Sequence, residues 1–168
     1  MSCVRPFLAL ALSDFPVVWQ GWQKLPGTTN YPPALLAHRT STNYPNHPYA
    51  SLAVIGSDYA VYYGSFTGSS WSGWTNLGGK VYDSWPAMWP AITETTYFSP
   101  SGGGYELHVV VMGGSHLLYD RRMDCSTTAC IWLQWMSLSG ATWNAPQAYA
   151  GYCGVRGLDD KVYEAYLG

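Results

Sequence analysis

Four segments of the chain alternate apolar and polar residues, break at a turn and then alternate again. Their sequences are FLALALSDFPVVWQG (7–21), SLAVIGSDYAVYYG (51–64), LHVVVMGGSHLLYDR (107–121) and YCGVRGLDDKVYEAY (152–166). An alternation of period two that stops at Gly, Ser or Asp and then resumes is typical of a β-hairpin. The pattern therefore predicts four hairpins, one of them close to the N-terminus.

Three of the hairpins carry a glycine at the end of the first strand, at Gly56, Gly113 and Gly157. Glycine adopts a positive backbone φ more easily than any other residue, because it has no Cβ. We therefore expect these glycines to provide the positive φ of each turn.

A second pattern, W-x-x-L-x-G, lies between the hairpins and occurs three times, beginning at Trp22, Trp74 and Trp135. A proline and a short apolar segment follow each copy at nearly the same distance. These prolines are Pro33, Pro86 and Pro146. Because large flat side chains fill the space between packed sheets, we expect the three tryptophans to pack between neighbouring units.

The two patterns together define a unit of four short strands: a proline-led strand, an apolar strand, a tyrosine strand and a tryptophan strand. Four strands repeated about every 40–50 residues are the signature of a β-propeller blade. The sequence thus predicts an all-β fold, a single domain with about three and a half propeller blades. The repeat units are residues 1–32, 33–85, 86–145 and 146–168.

The repeat resembles that of bacterial and fungal propeller lectins, in particular the Photorhabdus lectin-like and tectonin-type families. The matching residues are Trp71, Trp74, Leu77, Gly78, Gly79, Pro86, Gly113, Tyr119 and Arg121, with Gly56, Asp58, Tyr62, Gly157, Asp159 and Tyr163 in the flanking units. The resemblance implies a propeller that binds sugars, often fucose or O-methylated sugars, in pockets between neighbouring blades. It also implies that no metal is needed.

The chain departs from the family pattern in two ways. Family rings usually hold six or seven blades, and an open stack of fewer blades would leave bare faces and strand edges. We therefore expect a homodimer that completes the ring. The alternatives are a fragment of a longer chain and a stand-alone variant of the fold. In addition, Ser115 stands where the sister units have Asp58 and Asp159, so we do not expect equivalent sites in every blade.

The composition favours sugar binding and disfavours two other classes of protein. Aromatic residues make up 16% of the chain and charged residues 11%, with a formal net charge of −2. This balance offers no basic surface for nucleic acid, and no apolar run approaches the roughly 20 residues of a membrane span. Aromatic faces cover the C–H side of a sugar ring while a few polar groups bind its hydroxyls, so the expected partners are glycans or glycoconjugates.

Five tryptophans are candidates for sugar contacts. Trp85, Trp89 and Trp143 lie in the connections around the proline-led strands, where loops run over the rim of a propeller and often carry function. The alternative is that they fill gaps between blades. Trp71 and Trp132 precede a motif tryptophan by three residues and are less clearly assigned to packing.

Asp120 and Arg121 follow the tyrosine strand and are candidates for hydroxyl contacts or, alternatively, for a solvated blade edge. We predict no enzyme, cofactor or metal site, because the nucleophile-elbow, zinc-protease and P-loop motifs are all missing. The four histidines are dispersed, and no pattern pairs two carboxylates for glycoside hydrolysis. The histidines are His38, His47, His108 and His116, and the glutamates considered for hydrolysis are Glu94, Glu106 and Glu164.

Cys125 and Cys130 bracket four residues and are compatible with a disulfide, with half of a metal site or with two free thiols. The lack of a second cysteine or histidine pair at matching spacing argues against the metal site. A disulfide would favour an oxidising compartment and hence a secreted or cell-surface protein. The apolar stretch from Phe7 to Leu12 is short for a signal peptide, and its match to the other hairpins predicts a strand instead.

The predicted function is therefore a lectin-like module that binds terminal sugars such as fucose or O-methylated sugars. The alternative is a propeller that serves as a platform for protein–protein interaction, since one fold supports many functions. A glycosidase is the less favoured third possibility.

Overall fold

The computed structural model of the protein describes residues 24–29, 31–38, 47–67, 70–81, 89–99, 102–125 and 129–168. Within these ranges the chain is all-β, as the sequence predicts, and forms three antiparallel sheets. The predicted hairpin at 7–21 and the residues Trp22 and Trp85 lie outside the described residues. No helix in the described ranges has both the length and the apolar character needed to cross a membrane.

Sheets I and II have the same five-stranded layout. Sheet I contains β1 (Ala34–Ala37), β2 (Ala50–Ile55), β3 (Val61–Thr67), β4 (Ser70–Trp71) and β5 (Thr75–Gly78). Its order is β1-β2-β3-β4, and β5 also pairs with β3. Sheet II contains β6 (Ala91–Ser99), β7 (Gly102–Met112), β8 (Leu117–Asp124), β9 (Ile131–Trp132) and β10 (Met136–Ala141). Its order is β6-β7-β8-β10, and β9 also pairs with β8.

Sheet III repeats the first three strands of this layout with β11 (Gln147–Tyr149), β12 (Tyr152–Arg156) and β13 (Val162–Tyr166). The strand registers show that the three sheets are copies of one layout. In each sheet a valine of the apolar strand lies opposite a tyrosine of the strand that follows it. The pairs are Val54–Tyr62, Val111–Tyr119 and Val155–Tyr163. The three hairpins predicted within the described residues are therefore confirmed.

The proline of the repeat differs from the prediction in one unit. Strands β1, β6 and β11 each begin directly after a proline, and these prolines are Pro33, Pro90 and Pro146. Pro90, and not Pro86, is therefore the equivalent of the other two. The expected match at Pro86 was wrong because the connection after β5 is longer than its counterparts, and spacing alone does not locate where a strand starts.

The hairpin glycines do not carry the positive φ that the sequence predicts. A positive φ of 63°, 63° and 65° occurs three residues later in each turn, at Tyr59, His116 and Asp160. The glycines are required for a different reason, since the tyrosine ring of the next strand lies against them. A Cβ on Gly56 would lie 2.7 Å from the ring of Tyr62, and the corresponding distances are 2.8 Å at Gly113 and 2.6 Å at Gly157.

The motif tryptophan packs against the preceding copy of the motif, as expected. Trp135 Nε1 donates a hydrogen bond to the carbonyl oxygen of Leu77 at 3.0 Å, and its ring lies over Gly79. Trp74 repeats the arrangement one unit earlier and donates to the carbonyl oxygen of Pro26 at 2.6 Å. Each tryptophan therefore joins its own sheet to the unit before it.

The apolar core continues from one sheet to the next. Strand β6 contacts β1, β2 and β11, so the first strands of the three sheets are neighbours. Buried side chains from all three sheets form a single cluster that includes Ile55, Val61, Leu107, Val109 and Cys153. A disulfide joins Cys125 to Cys130 between β8 and β9. Of the disulfide, the metal site and the free thiols that the sequence allows for this pair, the structure therefore has the disulfide.

Replacement of Gly79 by alanine tests the contact with Trp135. The new Cβ would lie 3.2 Å from Trp135 Nε1, at a backbone φ of 77°. Gly73→Ala is the matched control, because Gly73 has a φ of 80° and no atom lies within 4 Å of its Cβ position. We expect Gly73→Ala to lower the free energy of unfolding by about 1–2 kcal/mol and Gly79→Ala to lower it by at least about 1 kcal/mol more. Urea denaturation measures both losses, and equal losses would contradict the proposed packing.

Candidate ligand-binding cavities

Two cavities lie at equivalent positions of the repeat. The larger, cavity I, has a volume of about 530 Å³ and lies between residues 24–29 and sheet I. Its apolar lining comes from Leu25, Pro26, Leu52, Val54 and Trp74. Its polar lining comes from Thr28, Thr29, Ser57, Asp58 and Tyr62. Ligand sites in proteins usually combine an apolar lining with a few polar groups in a volume of about 300–1,000 Å³, and cavity I meets this description.

The polar side of cavity I is built on the β2–β3 turn. Tyr62 donates its hydroxyl proton to Asp58 Oδ2 at 2.8 Å, and the Ala60 amide donates to Asp58 Oδ1 at 3.2 Å. These two hydrogen bonds, the phenol first, hold the pKa of Asp58 below its ordinary value. Asn76 also donates to the Tyr62 oxygen, at 3.4 Å. The turn therefore presents an ionised carboxylate whose orientation is fixed by its neighbours.

Cavity II, of about 470 Å³, lies between β10 and sheet III and is the repeat equivalent of cavity I. Asp159 and Tyr163 take the places of Asp58 and Tyr62, and Tyr163 donates to Asp159 Oδ2 at 2.9 Å. This bond is the main reason that the pKa of Asp159 lies below its ordinary value. Among the described residues, Trp74 lines cavity I and no tryptophan lines cavity II.

The interface between sheets I and II differs from the two cavities at one repeat position. Arg121 occupies the position that Gly64 and Ala165 hold in sheets I and III. Its guanidinium lies over the ring of Trp135, 5.9 Å from the centroid, and burial lowers its pKa. A charged side chain therefore covers Trp135, whereas the equivalent Trp74 lines open space.

Trp71 and Trp132, two of the tryptophans predicted as ligand contacts, pack against aromatic side chains. Trp71 lies 4.8 Å from the ring of Phe66 and 4.8 Å from that of Trp74. Trp132 meets Tyr63 edge to face at 5.0 Å, across the interface between sheets I and II. Neither residue lines cavity I or cavity II.

The rim tryptophans lie apart from one another. Trp89 lines a third cavity, of about 350 Å³, where the first strands of the three sheets begin. Trp143 is 39% exposed, meets the ring of His116 at 4.7 Å and donates to the carbonyl oxygen of Leu158 at 3.3 Å. Trp85 lies outside the described residues. Of the rim tryptophans that the structure describes, Trp89 and Trp143 therefore share no cavity.

Asp120, also predicted as a sugar contact, lies in the interior of the protein. It is 2% exposed, and its Oδ2 lies 2.9 Å from Nδ1 of the fully buried His108. A carboxylate in this position stabilises a buried histidine. Asp120 lines none of the three cavities.

The sequence reasoning missed Trp74, Asp58 and Tyr62 as site residues. Trp74 was assigned to packing alone, yet one part of its ring packs and another part lines cavity I. The Asp and Tyr positions enter the prediction only as matches to the repeat. Their four-residue separation, present again in Asp159 and Tyr163, was the available signal, because it places a phenol within reach of a carboxylate.

The thiol of Cys153 lines cavity II, and burial together with the nearby Asp120 raises its pKa to about 11. Such a thiol is almost fully protonated at neutral pH and reacts slowly, because the thiolate is the nucleophile. We expect alkylation by iodoacetamide at pH 8 to be on the order of 100-fold slower in the native than in the urea-unfolded protein. The native rate should rise about tenfold per pH unit between pH 7 and 9.

Peptide mass spectrometry in the absence of reductant measures this alkylation. It distinguishes Cys153 from Cys3 and leaves the Cys125–Cys130 disulfide closed. Equal alkylation rates at Cys153 in the native and unfolded protein would contradict the raised pKa.

The sequence of the chain matches no protein-family model, and no curated protein matches it. The likeness to propeller-lectin repeats therefore stays a prediction that rests on the residues of the repeat. The geometry adds two equivalent cavities between units, each lined by an ionised aspartate and its tyrosine partner.

Proposed function

We propose that this protein is a lectin-like module that binds terminal sugars such as fucose or O-methylated sugars, without catalysis and without a cofactor. The observation that carries the proposal is cavity I, where the Trp74 ring and the Asp58–Tyr62 pair line one open volume of about 530 Å³. Sugar recognition requires an aromatic or apolar surface for the C–H face of the ring and a few oriented polar groups for its hydroxyls.

The two sides of cavity I suit the two sides of a sugar. Asp58 is ionised and accepts hydrogen bonds, and hydrogen bonds to an ionised carboxylate are stronger than those between neutral groups. The hydroxyl of Ser57 and the side chain of Thr28 add donors and acceptors on the exposed side. A methyl group on the sugar, as in fucose or an O-methyl ether, would lie against Leu52 and Val54 and remove apolar surface from water.

Cavity II is a second site in this proposal. It has the Asp159–Tyr163 pair, and its aromatic side would come from a second copy of the chain that packs over Gly140. Two sites on one molecule raise the overall affinity for a glycan-bearing surface, because the second binding event becomes intramolecular.

We also propose that the units are propeller blades and that a second copy of the chain packs on sheet III. In the described residues, no strand pairs with the free edge of β13, and the large apolar side chains exposed on this sheet include Tyr149, Val162 and Tyr166. Gly140 ends the third motif just as Gly79 ends the second, yet no tryptophan ring of the described residues lies over it. A motif tryptophan of a second copy would cover this position, as Trp135 covers Gly79.

A glycan array probed with the labelled full-length protein, followed by competition with the free monosaccharide, tests the sugar site. We expect a group of bound glycans that share one terminal sugar. Asp58→Asn keeps the shape of the side chain but removes its charge, and loss of a hydrogen bond to a charged group weakens binding by about 10–100-fold. Asp160→Asn is the control, because Asp160 is an exposed turn carboxylate that lines neither cavity, and it should leave the binding of the soluble sugar unchanged.

Three results would overturn the sugar-binding proposal. Unchanged affinity in the Asp58→Asn variant would show that the sugar does not bind in cavity I. A folded protein that binds no glycan would favour the protein-interaction platform instead. Turnover of a chromogenic glycoside would show a glycosidase.

Gly140→Ala tests the proposed dimer. The new Cβ would lie 3.4 Å from Leu118 Cδ1, an ordinary contact within one chain, but it would press against a tryptophan ring supplied by a second copy. Gly154→Ala is the control, because its nearest neighbour is the Tyr163 carbonyl oxygen at 3.9 Å. We expect sedimentation velocity to show dimers for the native protein and the Gly154→Ala variant, and a dissociation constant raised by about tenfold or more for Gly140→Ala. A monomeric native protein, or equal behaviour of the two variants, would contradict the dimer.

A further inference from the structure

We propose that His38, His47 and Glu94 form a binding site for one divalent transition-metal ion, with zinc the best fit, between sheets I and II. One ligand atom from each residue lies within 4.8 Å of the others. His38 follows β1, His47 precedes β2, and Glu94 belongs to β6 of the neighbouring sheet. The site is therefore made by the packing of two units, and it is independent of the proposed sugar site.

The two histidine rings already contact the same carboxylate oxygen of Glu94. His47 Nε2 lies 2.8 Å from Glu94 Oε2, and His38 Nδ1 contacts the same oxygen. Zinc binds imidazole nitrogens and carboxylate oxygens at about 2.0–2.1 Å in a tetrahedral arrangement, which places neighbouring ligand atoms about 3.3 Å apart. A small displacement of the carboxylate would make room for the ion, which would replace the protons that now connect these groups.

The residues behind His38 prepare its ring for metal binding. His38 Nε2 lies 2.7 Å from Ser51 Oγ, and Ser51 Oγ lies 3.0 Å from the hydroxyl of Tyr63. Metal-binding histidines typically donate their second ring N–H to a fixed acceptor, which sets the tautomer and the orientation of the ring. When Ser51 accepts the proton of Nε2, the lone pair of Nδ1 is directed at the site.

Aromatic contacts hold the second histidine. The ring of His47 meets the ring of Tyr105, on β7, edge to face at 4.4 Å, and it meets the ring of His38 at 4.6 Å. The side chains of His38 and His47 are 0% and 5% exposed. Both imidazoles are therefore ordered before an ion arrives, which lowers the entropic cost of binding.

The donor set selects the class of ion. Two imidazoles and one carboxylate suit zinc and neighbouring transition metals, whereas calcium and magnesium prefer sites made of oxygen alone. The Glu94 side chain is 15% exposed and provides the route from solvent. Three protein ligands leave one tetrahedral position for a water molecule.

The repeat indicates one such site within the described residues. In sheet II the positions of His38, Ser51 and Tyr63 are taken by Thr95, His108 and Asp120. There His108 is paired with Asp120, and no second histidine joins them in the described part of sheet II. The metal-binding residues thus belong to a single unit interface and not to the general repeat.

Titration calorimetry of the full-length protein with zinc chloride tests the proposal. The protein is first dialysed against a chelator and then freed of it, without reductant, so that the Cys125–Cys130 disulfide cannot supply thiolate ligands. We expect one zinc ion per chain with micromolar or tighter affinity. We also expect zinc, but neither calcium nor magnesium, to raise the unfolding temperature, because a ligand that binds only the folded state stabilises it.

Substitutions locate the site. We expect His47→Gln and Glu94→Gln to weaken zinc binding by at least about tenfold, and His116→Gln, in the turn between β7 and β8, to leave it unchanged. Ser51→Ala removes only the hydroxyl behind His38 and should weaken zinc binding about 10–100-fold. This variant tests the site if a ligand variant does not fold. Absence of zinc binding by the folded native protein would overturn the proposal. Native affinity in folded ligand variants, or a loss in His116→Gln equal to theirs, would also overturn it.

Discussion

The contact between a tryptophan ring and the last glycine of the preceding motif holds neighbouring repeat units together. Trp135 over Gly79 and Trp74 over Gly27 each combine a flat ring, a residue without a side chain and a hydrogen bond from the indole to a carbonyl. Because both glycines have a positive φ, any other residue would be disfavoured by its backbone as well as by the ring. This contact sets the distance between units, and that distance decides what fits between them.

The space between units is used in three different ways. Beside residues 24–29 it remains open as cavity I, whereas between sheets I and II the Arg121 side chain covers the tryptophan. Elsewhere on that second interface, His38 and Glu94 from opposite sheets meet. The tryptophan–glycine contact recurs, and the few positions where the copies differ decide whether the space beside it stays open or is filled. The same repeat can therefore hold a proposed sugar site at one interface and a proposed metal site at the next.

The sequence predicts the local features of this fold well and its tertiary features poorly. The hairpins are readable because alternation and turn residues are local signals, and the W-x-x-L-x-G motif reveals the repeat. The role of Gly56 is not readable, since it depends on where the Tyr62 ring lies. The same holds for Trp74, which packs and lines a cavity at once. Glu94 lies 56 residues from His38, so no spacing rule for metal ligands would have joined them.

The proposed function requires a sugar to bind between units, against Trp74 and Asp58. A crystal structure of the protein soaked with methyl fucoside, or with the terminal sugar selected on a glycan array, tests this most directly. We expect a sugar in cavity I, with its apolar face on the indole of Trp74 and a hydroxyl donating to Asp58. A sugar bound instead at the rim tryptophans Trp89 and Trp143, with cavity I empty, would contradict it.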